Sequence, residues 1–274
     1  MRPPSSRREC SPSGLELEIF RACWRVHRQL REGKTMKTVR PLEELSLQPE
    51  AASGLKLLME EMRQSLGEGL LSVALYGDTA SGLELLIVLQ DVSLERLRAL
   101  RAPLEGARRT LRLEPLIMSW ADLRTSTDSF PLELRVVQRR YEVLHGQDLI
   151  AGLALNREHL RLACESRART LVWRLRQAYV LRHRLDQALQ ESLSQASMVF
   201  VRLLQVVMEM AEQPEVEGVE DLIRQAGTVV GIEPEVVLQA WRLRFASEPP
   251  AGLEELYGRF LESASRAADY VDRL

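Results

Sequence analysis

Apolar residues recur every three or four positions between Ala51 and Leu66, at Leu55, Leu58, Met59, Met62 and Leu66. That spacing predicts an amphipathic helix, and Gly67 is a residue able to close it. The period then changes. Leu70 to Tyr76 is largely apolar, Gly77 and Gly82 bracket a turn, and Leu83 to Leu89 is a nearly unbroken apolar run. Apolar runs bounded by turn residues predict two strands, the second of them buried. Ser93 stands where it can cap a helix reaching about Arg101, because Pro103 disfavours helix in the residue before it. Leu111 to Met118 predicts a third strand, with a short helix near Trp120 to Leu123. Strands interleaved with helices in this order imply helices packed on a mixed sheet.

Beyond Asn156 the strand signal disappears. Glu158 to Leu185 and Gln187 to Glu212 are long stretches with helical spacing, for example Leu171, Leu175, Ala178 and Tyr179, then Met198, Val201, Leu204 and Met208. Shorter helices are predicted near Val219 to Ala226, Glu233 to Phe245 and Leu253 to Leu274. The expected class is therefore α+β, with residues 41–150 forming a sheet-containing domain and residues 151–274 an all-α bundle. Residues 1–40 read as an N-terminal extension, opening on a Pro/Ser/Arg segment and carrying two of the three cysteines. Met36 is the expected start of translation. The alternative is a genuine tail with a short helix over Leu15 to Leu30, whose apolar side carries Leu17, Phe20, Cys23 and Trp24.

Composition narrows the partners. A net charge of −2 with 28% charged residues gives no basic excess of the kind nucleic-acid binding needs. Lysine occurs only at positions 34, 37 and 56, so nearly all positive charge is arginine, the codon signature of a GC-rich genome. Cys10, Cys23 and Cys164 have no spacing suited to zinc or to a disulfide framework. No stretch reaches the roughly 18 to 20 uninterrupted apolar residues of a membrane span, and the N-terminus lacks a signal-peptide core. A cytoplasmic protein without membrane contact is expected.

The stretch Tyr76-Gly77-Asp78 through Leu89 resembles the nucleotidyltransferase superfamily pattern, in which a Gly-Ser turn precedes an Asp-x-Asp pair on the next strand. Further blocks, Arg112-Leu113-Glu114-Pro115, Ser129-Phe130-Pro131-Leu132-Glu133 and Val143-Leu144-His145-Gly146-Gln147-Asp148-Leu149, follow in the order found in bacterial members with a helical C-terminal domain, including relatives of aminoglycoside adenylyltransferases. The resemblance implies a nucleotidyltransferase-like mixed sheet. It also implies a nucleoside triphosphate ligand at Gly77, Asp78, Thr79 and Ser81, and magnesium held by Glu84, Asp78 and Glu114. Glu84 and Glu114 are the implied catalytic carboxylates. Carboxylates clustered on one face can hold a divalent ion against the triphosphate, and a further one can take the proton of an acceptor hydroxyl.

The chain departs from that pattern. Asp78 stands at the serine position, Gly82 at the first carboxylate and Glu84 at the second, and the connection is shorter than usual. The expected function is thus a nucleotidyltransferase-fold protein with impaired catalysis, binding nucleotide weakly or acting through protein contacts. One alternative is an active magnesium-dependent enzyme moving a nucleoside monophosphate to a small hydroxylated acceptor or a protein. Another is the helical interaction module of a toxin–antitoxin-like pair, with a protein partner or a second copy bound through the bundle. The plainer readings are a polar strand entrance at Glu84, a solvated residue at Glu114 and a turn former at Asp78. Arg176 with His183, and Arg140 with His145, match the spacing of a ribonuclease-like helical class, a coincidence expected among so many arginines.

Overall fold

A computed structural model describes residues 36–45, 47–77, 83–111, 113–182, 186–216 and 218–274. The expected extension up to residue 35, together with Asp78, Thr79, Ser81, Gly82 and His183, lies outside the described residues. The described chain is α+β. It runs α1 (Pro49–Leu66), β1 (Leu70–Tyr76), β2 (Glu84–Leu89), α2 (Leu94–Leu111), β3 (Glu114–Ser119), α3 (Trp120–Thr125), α4 (Pro131–Arg139) and β4 (Tyr141–Gly146). Then come α5 (Arg157–Arg182), α6 (Asp186–Met210), α7 (Val219–Val230), α8 (Pro234–Arg242) and α9 (Leu253–Val271).

The sheet order is β3-β2-β1-β4, with β1 antiparallel to both β2 and β4, and β2 parallel to β3. Alternation sorts the strand residues between two cores. Val73, Leu75, Leu85, Ile87 and Leu89 pack with Leu55, Leu58 and Met62 of α1 and with Leu100, Ala107 and Leu111 of α2. Ala74, Leu86, Val88 and Val143 face the other way, onto Leu123 of α3 and Leu134 and Val137 of α4. A third core fills the bundle of α5 to α9 and takes in Leu132 of α4. Helix α4 is thus apolar on two sides, and it is the element through which the bundle meets the sheet.

The two hairpin strands and α1 form where the pattern puts them, and Ser93 accepts a hydrogen bond from the Arg96 backbone N–H at 3.3 Å as the cap of α2. The expected end of that helix near Arg101 is corrected: α2 continues through Pro103 to Leu111, because Leu100, Ala107 and Leu111 are buried against α1. Pro131–Arg139 and Tyr141–Gly146, to which the pattern assigns no element, form α4 and β4. Their apolar residues serve two cores or a short edge strand, so neither makes a long single-faced stripe. Among the described residues α6 has the length and composition to cross a membrane, yet 61% of its apolar window is buried inside the fold. It is the central helix of the bundle.

Candidate functional site

Three of the expected site residues, Gly77, Glu84 and Glu114, meet at one end of the sheet. Tyr76, the last residue of β1, pairs with Glu84, the first of β2, and Glu84 is in register with Glu114, the first of β3. Cross-strand partners share a face, so Tyr76, Glu84 and Glu114 stand on the α3/α4 side, continuing the rows of Ala74, Leu86 and Leu116. Gly77 follows with φ of 77°, a conformation that costs glycine nothing and other residues a good deal. Its N–H donates to the Arg140 carbonyl at 3.1 Å. A Cβ at this position would lie 2.3 Å from Oε2 of Glu84, so the glycine leaves the space that the carboxylate fills.

The other oxygen of Glu84 is held from outside the sheet. Arg202, midway along α6, donates its Nη2 to Oε1 of Glu84 in an ion pair where the glutamate side chain is 13% exposed and the arginine 47%. On α6 the neighbours Val201, Leu203 and Leu204 are buried in the bundle core. Arg202, Gln205 and Glu209 lie at helical spacing on the side turned to the sheet: the Gln205 carbonyl and the Glu209 carboxylate accept from Arg139 at 2.9 and 3.2 Å. Packing therefore fixes the stem from which the guanidinium reaches.

Burial pushes the Tyr76 hydroxyl well above the ordinary phenol range, with the Glu84 carboxylate adding to the shift, Arg202 opposing it and Glu114 adding again. Tyr76 is consequently a neutral donor at physiological pH and no ready base. Cys164 in α5 is fully buried, and burial first, then the Glu133 and Glu209 carboxylates, push its thiol up to about 12. A thiol so shifted supplies no thiolate near neutrality. Burial lowers the pKa of His145 in β4, helped by the Arg63 charge and opposed by a hydrogen bond to the Leu70 backbone. Glu133 of α4 is ion-paired with Arg167 of α5, which assigns it to holding the bundle against the sheet.

Gly77, Glu84 and Glu114 are therefore neighbours, while Asp78, Thr79 and Ser81 lie outside the described residues. Among the described residues no group of three His, Cys, Asp or Glu side chains comes together to hold a metal ion. A divalent cation wants several oxygen ligands, and here one oxygen of Glu84 already carries a guanidinium. Like charges 4 Å apart near a protein surface repel by roughly 4 kcal/mol per unit of charge. The described donor set does not fit magnesium.

No protein-family model matches the chain. A search of the curated proteins finds no significant match either. The site is thus defined by its own geometry. In the sequence Tyr76 is visible only as the start of the motif stretch, and Arg202 is not marked at all. Counting back across the hairpin from Glu84 would have found Tyr76. For Arg202 there was no signal, since it lies 118 positions from Glu84 in a chain rich in arginine.

Proposed function

We propose that this chain is a nucleotidyltransferase-like protein without metal-dependent transfer, one that binds nucleotide weakly or acts through protein contacts. The observation that carries the reading is the ion pair of Arg202 with Glu84, beside the register-paired Glu114 and the left-handed Gly77. Two carboxylates at adjacent strand starts support the resemblance, and the arginine from the bundle that neutralises one of them supports the loss of metal-dependent transfer. The protein-contact side of the proposal draws on α5, whose outer surface exposes Trp173 at 65% and, two turns further along the same side, Val180 at 70%. Exposed large apolar residues grouped on one surface mark interaction sites.

Calorimetric titration with ATP and the other triphosphates, each with and without magnesium, tests the reading. Weak heat that does not depend on magnesium is expected, and Glu84→Gln should leave it within about a factor of two. Tight magnesium-dependent binding, lost in Glu84→Gln or Glu114→Gln, would instead establish the active enzyme with those two carboxylates as its metal ligands.

A further inference from the structure

We propose that Arg202 is a resident cation that takes the divalent ion's place at the Glu84/Glu114 corner and closes that corner to metal. The inference deepens the proposed function by naming what fills the carboxylate site. Four features of the geometry point to it. The Glu84 carboxylate has one oxygen seated over Gly77 and the other on the Arg202 guanidinium. Glu114, its register partner, begins the adjacent parallel strand on the same face, the arrangement from which a second carboxylate would approach a shared cation. Tyr76, directly across the hairpin from Glu84, stands on the same face of the sheet and walls the corner on its β1 side. The arginine comes from a helix whose adjacent residues are locked in the bundle core, and its place on the sheet-facing side is shared by Gln205 and Glu209, both bonded to α4.

A guanidinium suits this role because it stays charged at every physiological pH and its planar fork matches a carboxylate. It satisfies Glu84 without the ordered water that magnesium retains. The consequence is chemical. A guanidinium can neutralise the corner, but it supplies no open coordination position and does not activate a hydroxyl as a metal does. It also ties the corner to α6, so that metal entry requires the arginine to leave.

Manganese binding to the full chain, followed by electron paramagnetic resonance, tests this without any nucleotide, so its failure is separable from failure of the nucleotide reading. Arg202→Met keeps the length of the stem and removes the charge. Its affinity for manganese should rise by about tenfold or more over the parent, and adding Glu84→Gln should return it to within about twofold of the parent. Arg202→Lys, which keeps a cation there, should behave as the parent does. An Arg202→Met protein with unchanged manganese affinity overturns the proposal, as does a gain that survives Glu84→Gln. Should Arg202→Met fail to fold, the parent and Glu84→Gln still decide: tight manganese binding by the parent that Glu84→Gln abolishes would mean that the arginine does not occupy the site.

Discussion

At the scale of single residues, Asp148 carries more of the fold than its position in the sequence suggests. The residue is 3% exposed, and its carboxylate accepts from the Tyr141 hydroxyl at 2.9 Å and from the backbone N–H groups of Lys37, Ile150 and Ala151 at 2.8, 3.0 and 3.0 Å. One side chain thus fixes the turn after β4 and fastens residues 37–40 along that strand, where Arg40 adds a backbone bond to Val143 at 2.8 Å. Removing it leaves a buried hydroxyl and backbone N–H groups without acceptors. Hydrogen bonds to charged groups are worth about 1.5 to 3 kcal/mol each, and the losses here are not additive because water enters. Asp148→Ala should therefore destabilise the protein by about 3 to 5 kcal/mol, and Tyr141→Phe by about 1, measured by urea unfolding. In the sequence Asp148 is visible only as part of a motif block. Nothing local separates it from a solvated turn residue, because one of its partners is 111 positions away. The same limit hid Arg202, whereas Gly77 and Glu84 were legible because both belong to one hairpin.

At the scale of elements, local pattern succeeded where one core decided the structure and failed where tertiary packing overrode it. The hairpin strands, α1 and the two long bundle helices each bury a single stripe or a continuous apolar run, and they lie within a few residues of their expected places. Helix α2 is the counterexample. Pro103 lacks the N–H that would bond the carbonyl of Ala99, a loss that in an isolated helix costs about 3 kcal/mol. The helix persists because Leu100 before the proline and Ala107 and Leu111 after it pack into the same core. Leu111 also lies so close to Gly54 of α1 that a Cβ there would meet its Cδ2 at 2.8 Å. Pro103→Ala restores the missing bond and gives up part of a buried ring. The expected result is a gain of about 1 to 2 kcal/mol, seen as a raised melting temperature. A loss of stability would mean that the ring packs for more than the hydrogen bond is worth. Both α4 and β4 escaped the pattern for a related reason: α4 divides Leu132 from Leu134 and Val137 between two cores, so its period reads as neither helix stripe nor strand.

At the scale of the whole molecule, the bundle meets the sheet through α4 and through a short series of ion pairs rather than through the sheet's own apolar faces. Arg135 and Arg139 of α4 both grip Glu209 of α6, Arg139 also reaches Glu215 at 3.0 Å, and Arg167 holds Glu133. Arg202 with Glu84 adds the contact at the candidate site, which makes the site part of the docking surface. Glu209 neutralises two arginines from one helix, and Arg139 is only 19% exposed, so this carboxylate should matter more than an isolated surface partner. Glu209→Gln leaves Arg135 and Arg139, like charges one turn apart on α4, with only Glu215 to balance them. With Glu209 itself 32% exposed, water screens part of the loss, and the expected cost is about 1 to 2 kcal/mol. Leu132, buried in the bundle core, keeps the two parts together in the variant, so the change should be local loosening and not separation. Limited proteolysis reads this directly: Glu209→Gln should be cut faster within residues 147–156, where the chain passes from β4 to α5. Added salt should speed cleavage of the parent toward the variant's rate and speed the variant less, because the parent has the two Glu209 pairs as well as those that both proteins keep. Equal cleavage of both proteins at every salt concentration would mean that apolar burial around α4 docks the bundle unaided.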